Sequence, residues 1–357
     1  PPSHFNPFIT KDTTMTPHYI HRTFTALTLL IVLAFVACKK ETPRPEPLPT
    51  THSPYITRVL EYLPAVGQFT NELPKYEAGD TQEDMNRKAL DELKDNKRGL
   101  VTLGGWGGYI VVGFDHTITN VAGQRDFRVL GNAFYSSSNK EAFEAGSCEP
   151  GIIMVAYDAN HNGRPDEDEW YEIAGSAHVD PTQEPWYAFL KSHAPQADLN
   201  CYRDFEMTYY RPANEPASNE VWSTYIRWQD NKGNSGYKVK NPFHAQPYFP
   251  QWVKGDKLTF RGTRLPQNGY NQSSESPYYV QCKFRYGYAD NAASDSKDAT
   301  IDIDWAVDKQ GRKVYLPGVD FIKIYTGVNQ ENGNLGECST EISGITDLHL
   351  LKEDIPN

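Results

Sequence analysis

The residues best placed to do chemistry lie between positions 158 and 169. There Asp158, Asn160, Asn162, Gly163, Asp166 and Glu169 fall into the pattern D-x-N-x-N-G-x-x-D-x-x-E. A calcium ion takes six to eight hard oxygen ligands at about 2.3–2.6 Å. Alternate Asp and Asn side chains on a tight loop supply them, Gly163 permits the sharp turn, the Arg164 carbonyl adds one oxygen, and Glu169 can close the site with two. The flanks, GIIMVAY and WYEIAG, are strand-like, so the expectation is a calcium loop joining two strands and holding a structural Ca2+ ion. The competing reading is an acidic hairpin turn held by Asx hydrogen bonds.

A second group is aromatic. Trp222, Tyr225, Trp228, Tyr237, Phe243, His244, Tyr248, Phe249 and Trp252 crowd one stretch beside Asn, Gln and Arg residues. Flat rings stack on a sugar or another planar ligand while amides fix its orientation. Trp222, Trp228, Tyr248 and Trp252 are therefore the expected ligand contacts, set against core packing, which uses the same residue types.

Catalytic signatures are missing. No H-E-x-x-H or G-x-S-x-G occurs and the histidines are scattered. The GGWGG run at 104–108 lacks the dinucleotide spacing and precedes a strand, so close backbone packing explains it better. Asp302 and Asp304 alternate with Ile301, Ile303, Trp305 and Val307, which reads as exposed carboxylates on one strand face rather than an acid and base pair.

Near the start, Phe24 to Ala37 (FTALTLLIVLAFVA) is shorter than the roughly 20 residues that span a bilayer. With Met15 opening it and Arg22 ahead of the apolar run, it reads as a signal peptide over 15–37. Residues 1–14 then read as upstream sequence. Phe35-Val36-Ala37-Cys38 resembles a bacterial lipobox, making Cys38 the expected lipidation site and the lipid anchor the one contact with a membrane. Residues 38–54 are a proline-rich tether, and 55–357 are expected to form a single elaborated β domain. Cys148, Cys201, Cys282 and Cys338 contain no CxxC, which disfavours zinc. Four cysteines in an exported chain allow three full pairings. Cys148 with Cys338 is the pair considered, against buried free thiols.

The elements that position these groups read as mostly strands. The chain carries 26 Gly, 25 Pro and 22 Tyr, and its short apolar runs alternate with period two. One helix stands out, capped by Thr81 with Asp84 completing a capping box and with Met85, Ala89 and Leu93 on one face. The fold class expected is mainly β: an antiparallel β-sandwich or jelly roll with long inserted loops and one N-terminal helix. Residues 176–275 read as loops and short strands inserted into it. No fixed repeat appears, which disfavours propellers and solenoids. With 35 basic and 46 acidic residues the net charge is −11, which excludes nucleic acid as a partner.

The stretches LGGWGGYIVVGFD (103–115), DFRVLGNAF (126–134), EPGIIMVAYDANHNGRPDEDEWYEIAGS (149–176), FHAQPYFPQW (243–252), DIDWAVD (302–308) and LPGVDFIKIYTGVNQ (316–330) resemble the Bacteroidetes outer-membrane lipoproteins labelled "cell surface protein". The resemblance covers about Tyr55 to Leu350. It implies an accessory surface protein found beside TonB-dependent outer-membrane transporters, in some cases within vitamin B12 (cobamide) uptake loci, and it carries over no catalytic residue. Cys148 and Cys338 stand where the family pattern has Ser or Thr, so their disulfide would be specific to this chain or absent. The expected function is a surface-exposed, calcium-binding, non-catalytic lipoprotein that captures a cobamide or a glycan for uptake. The rivals are a carbohydrate-active enzyme and an adhesion or structural surface protein.

Overall fold

Alternation of β-branched and polar residues produces strands wherever one face can be buried. The computed structural model of the protein describes residues 51–97, 99–217 and 220–357. Cys38, the 1–14 and 15–37 segments and the tether before residue 51 lie outside the described residues. Thr51–Asn357 make up one unit.

In chain order the strands are β1 (Arg58–Leu63), β2 (Val101–Thr102), β3 (Tyr109–Thr119), β4 (Phe127–Leu130), β5 (Phe134–Tyr135), β6 (Ala145–Ser147), β7 (Gly151–Ala156), β8 (Trp170–Ile173), β9 (Tyr202–Tyr210) and β10 (Trp222–Asp230). They continue with β11 (Ser235–Lys240), β12 (Lys257–Arg264), β13 (Gly269–Asn271), β14 (Tyr279–Cys282), β15 (Thr300–Ile301), β16 (Ala306–Val307), β17 (Gly318–Thr326), β18 (Glu341–Ile342) and β19 (Gly344–Asp347). The α-helices are α1 (Gln82–Leu93), α2 (Ser176–Val179) and α3 (Tyr187–His193). The expected N-terminal helix is α1. Thr81 and Asp84 cap it reciprocally, with Thr81 N–H donating to Asp84 Oδ2 at 2.9 Å, and it buries Met85, Ala89 and Leu93.

The protein is mainly β and antiparallel, as the alternation implies. The finer arrangement differs from the two facing sheets of a sandwich or jelly roll. A six-stranded sheet runs β1-β3-β17-β7-β8-β16, two four-stranded sheets run β11-β10-β9-β12 and β13-β14-β6-β5, and smaller sheets run β15-β4-β19 and β18-β2. Together the five sheets are arranged as a propeller-like ring of four blades. Their unequal strand numbers, and the placement of the late β17 between the early β3 and β7, explain why no sequence repeat announces the ring.

The six-stranded sheet is buried on both faces, which is why GVDFIKIYT of β17 is nearly continuous in apolar residues. One face carries Ile110, Val112, Ile153, Val155, Ile322 and Ile324 into a core shared with α1 and with Phe127 and Ile345. On the other face Ile152 and Tyr325 join a core around Trp186, Phe284 and Tyr288. A third core, around Trp106, Phe205 and Tyr209, belongs to the four-stranded sheet of β9 to β12.

The GGWGG turn joins the two larger sheets. Gly107 N–H donates to the Thr326 carbonyl at 3.0 Å and Thr326 N–H donates back to Gly108 at 3.0 Å, while Tyr209 OH donates to the Trp106 carbonyl at 2.9 Å. Gly107 has a φ of 89°, and a Cβ there would stand 2.4 Å from Phe260 Cβ. One on Gly108 would stand 2.0 Å from both Ala65 N and the Leu103 oxygen. Close backbone packing, as read from the sequence, is the role of this run.

Three expectations need correction. Residues 176–275 hold a regular four-stranded sheet with strands of 9, 9, 6 and 8 residues, because the aromatics of β9 and β10 fill its core. The 301–307 segment is interrupted by a 3-10 turn at Ile303–Trp305, and Asp302 is buried, accepting from Asp304 N–H at 2.8 Å. The four cysteines are free thiols. Cys282 and Cys338 pack as small hydrophobes in the second core, so no Cys148 to Cys338 bond forms.

Gly108→Ala should destabilise the domain by about 3 kcal/mol or prevent its folding, because backbone atoms on two sides cannot recede. Gly255→Ala, with nothing nearer than 3.6 Å to the new Cβ, should stay within about 0.5 kcal/mol of wild type. Chemical denaturation of both variants checks the contrast.

Candidate ligand-binding cleft

Strand register builds the floor of a cleft on the six-stranded sheet. Lys323 of β17 lies opposite Val111 of β3 and Met154 of β7, and Met154 lies opposite Glu172 of β8. One step along, Tyr325 lies between Tyr109 and Ile152. The period of two thus places Lys323 and Tyr325 on the face opposite Ile322 and Ile324. The wall is β12, through Phe260, Arg261, Gly262 and Thr263. Two adjoining cavities of about 460 and 470 Å3 share Arg261, Lys323 and Tyr325. The far end is closed by Glu167, within the acidic loop, by Trp170, which directly follows it, and by Asp308 and Lys309.

A buried carboxylate ties floor to wall. Glu172 Oε1 accepts from Tyr325 OH at 2.9 Å and Oε2 accepts from Thr263 Oγ1 at 3.0 Å, with His178 Nε2 at 3.5 Å. Thr263 N–H in turn donates to Tyr325 OH at 2.9 Å. Burial pushes the Glu172 carboxyl up, but His178 and the Tyr325 and Thr263 donors outweigh it and hold the group below its ordinary value. Lys323 is the opposite case. Its ammonium lies 4.0 Å from the Tyr109 ring centre, and among the described residues nothing accepts a hydrogen bond from it or pairs with it. Burial pushes it down, Glu61 only partly countering. A half-buried cation over a ring, facing a cleft, is suited to receive an anionic group.

The aromatic residues singled out from the sequence do not come together there. Tyr248 is 1% exposed and its OH accepts from Asn241 N–H at 3.3 Å. Trp252 is 8% exposed, lies between Tyr62 and Tyr76 with ring centres 5.8 and 6.2 Å away, and donates to Gln82 Oε1 at 3.0 Å. Both are core residues with no free ring face, which corrects their assignment as ligand contacts. Trp222 is half-buried and stacked 6.0 Å from Tyr225. Trp228 borders a cavity of about 460 Å3, with Tyr237, Lys238, Arg264 and Gln267. Its cations are already neutralised: Lys238 Nζ lies 2.8 Å from Glu331 and Arg264 Nη2 2.7 Å from Asp198.

The 158–169 loop is a tight turn whose polar atoms satisfy one another. Asp158 accepts from Asn162 N–H at 3.0 Å and Gly163 N–H at 2.8 Å. The Asn160 and Asn162 amides donate to Asp166 Oδ2 at 2.6 and 2.7 Å, and Glu169 accepts from Ala159 and Asp166 N–H. Arg164 reaches Asp166 Oδ1 at 3.7 Å through its side chain. Asp320 of β17 accepts from Asp158 N–H at 2.8 Å and so fixes the loop against the sheet that carries Lys323. Among the described residues, two clusters bring three His or carboxylate ligand atoms within 4.8 Å of one another, Glu149 with Asp290 and Glu341, and His52 with Asp115 and His116; the carboxylates of the 158–169 loop do not converge in that way.

Sequence reasoning passed over Lys323, Tyr325, Glu172 and Arg261. The available signal was a lone lysine inside the apolar run VDFIKIYTGV. No protein-family model matches the chain, and no curated protein matches it.

Glu337 is pushed up to about 8 by burial and by Glu331, while its Oε1 accepts from Gln68 N–H at 2.7 Å. Its folded value exceeds its unfolded one, so its contribution is intact below the ordinary carboxylate range and is lost as pH rises through about 8. Glu172 has the reverse sign and loses its contribution as pH falls. Glu337→Gln should match wild-type stability near pH 4 and exceed it by on the order of 1–3 kcal/mol at alkaline pH. Denaturant melts across pH check this, and equal stabilities at high pH would contradict the assignment.

Proposed function

We propose that the protein is a surface-exposed, calcium-binding, non-catalytic lipoprotein, anchored to the outer membrane through Cys38, that captures a cobamide or a glycan for uptake by a TonB-dependent transporter. The observation that carries this reading is the unpaired Lys323 inside an aromatic-walled cleft. Such a site favours a ligand that offers an anionic group beside a broad ring face. The phosphodiester and corrin ring of a cobamide have that combination, as do the carboxylate and sugar rings of an acidic glycan. The resemblance to Bacteroidetes surface lipoproteins supports the cellular setting.

The donor set at 158–169 fits calcium. Asp158, Asp166 and Glu169 are hard carboxylates, and turning the Asn160 and Asn162 amides over exchanges their NH2 groups for oxygens facing Asp166. The ion would stiffen the loop that carries Glu167 and Trp170 to the end of the cleft. A carbohydrate-active enzyme is the weaker reading, because one carboxyl must stay protonated near neutral pH to act as acid. Glu172 is held low by His178, Tyr325 and Thr263 against the effect of burial, and Asp308 is held low by Arg312.

Calorimetric titration of the mature protein with cobalamin and with neutral and acidic oligosaccharides tests the reading. One ligand class should bind without turnover. Lys323→Met should weaken it roughly 10- to 100-fold, the worth of one charge-assisted hydrogen bond, while Trp228→Ala changes it little. Absence of binding by the wild-type protein would shift the reading to adhesion, and product release to an enzyme. Calcium should raise the melting temperature, by about 2.7 kcal/mol of stability at a hundredfold excess over its dissociation constant. Asp158→Ala combined with Glu169→Ala should abolish that response, and a wild-type melt indifferent to calcium and chelator would leave the loop as a turn.

A further inference from the structure

We propose that His52, Asp115 and His116 form a second metal site, for zinc or a similar divalent transition-metal ion, where the chain enters the folded domain. The three side chains present ligand atoms that lie within 4.8 Å of one another. Asp115 Oδ1 is 2.8 Å from His116 Nδ1 and 3.6 Å from His52 Nδ1. Ligand atoms bound tetrahedrally at about 2.0–2.2 Å are separated by roughly 3.3–3.5 Å, so the two distances bracket what a shared ion requires. Two imidazoles and one carboxylate also match the borderline donor preference of zinc, in contrast to the all-oxygen set at 158–169.

The outer contacts point the same way. His116 Nε2 lies 2.7 Å from Asp347 Oδ2, and the Asp347 side chain is 3% exposed. Asp347 Oδ1 is itself fixed by His349 N–H at 2.7 Å and Leu350 N–H at 3.1 Å. A carboxylate so anchored accepts a hydrogen bond from Nε2–H; with no ion bound, Nδ1–H donates to Asp115, and a metal would displace that proton and bind Nδ1, the arrangement that orients metal-bound histidines. The second oxygen of Asp115 is occupied by Ser53 N–H at 3.2 Å, which turns Oδ1 toward the two imidazoles. The His52 and His116 rings lie 5.3 Å apart at 38°, both edges reaching the same carboxylate. His52 and Asp115 are exposed, so an ion can enter from solvent and keep a fourth position for water.

Bound there, the ion would clip residues 52 and 53 to β3 and, through Asp347, to the end of β19. This inference is independent of what the cleft binds.

The test uses the mature protein saturated with calcium, titrated with zinc by calorimetry and with cobalt(II) by visible absorption. Zinc should bind one to one and raise the melting temperature, and cobalt should give the intense bands of a four-coordinate site. His52→Ala and His116→Ala should each weaken zinc at least 10-fold, and Asp347→Asn by 10- to 100-fold. Asp158→Ala with Glu169→Ala should leave zinc affinity unchanged, which separates this site from the calcium loop. If His116→Ala fails to fold, exposed His52 still decides. No saturable zinc binding by the wild-type protein, or binding indifferent to His52→Ala, would overturn the proposal.

Discussion

The approach of two sheets at a glycine turn whose one side chain is Trp106 governs the rest of the molecule. Trp106 is wholly buried between them, its ring 4.7 Å from Phe205 and edge-on, and its indole N–H donates to the Thr263 carbonyl at 3.3 Å. Removing a buried tryptophan of this kind costs about 3–5 kcal/mol. The flanking glycines let the turn's backbone close on Phe260 of β12 and on the backbone of Ala65 and Leu103, so that the wedge fits. Once the spacing is set, Phe260 and Gly262 stand over Tyr109 and Tyr325, and the gap between them is the cleft. A Cβ on Gly262 would stand 2.7 Å from the Tyr325 hydroxyl, so the same economy of side chains operates at both ends.

Polar groups in the cleft divide into those the fold ties together and those it leaves free, Lys323 among them. Glu172, Tyr325 and Thr263 satisfy one another across three strands, β8, β17 and β12, and their removal from water is offset by the hydrogen bonds between them, with His178 Nε2 3.5 Å from Glu172. Arg261 is held by Glu206 at 2.5 Å. Lys323 has only a ring beneath it. Burying an ammonium without a counter-ion costs free energy, and a ligand that supplies the missing charge recovers it on binding. The Trp228 cavity lacks this property because Glu331 and Asp198 already neutralise its cations.

How far the sequence was legible follows the range of the signals. The α1 cap and its apolar face, the strands at 127–130, 151–156, 170–173 and 318–326, and the packing role of GGWGG rest on local chemistry and were readable. The sheet order was not, since β17 pairs with strands more than 160 residues earlier and no local pattern records which ones. Tryptophan type does not distinguish Trp252, stacked inside the core, from Trp228 on a rim. Lys323 was overlooked because a lysine within a strand reads as solvent-facing, whereas here β12 covers that face. His116 fell among the scattered histidines, and only β19 packing beside β4 brings Asp347 behind it.

The crystal structure of the mature protein grown with cobalamin, and separately with an acidic oligosaccharide, tests the central claim most directly. The account predicts density for one of them between β12 and β17, with its anionic group within about 3 Å of Lys323 Nζ and a ring face against Tyr109 or Trp170. Density for the ligand beside Trp228 instead, or an empty cleft at saturating concentrations of both, would contradict it.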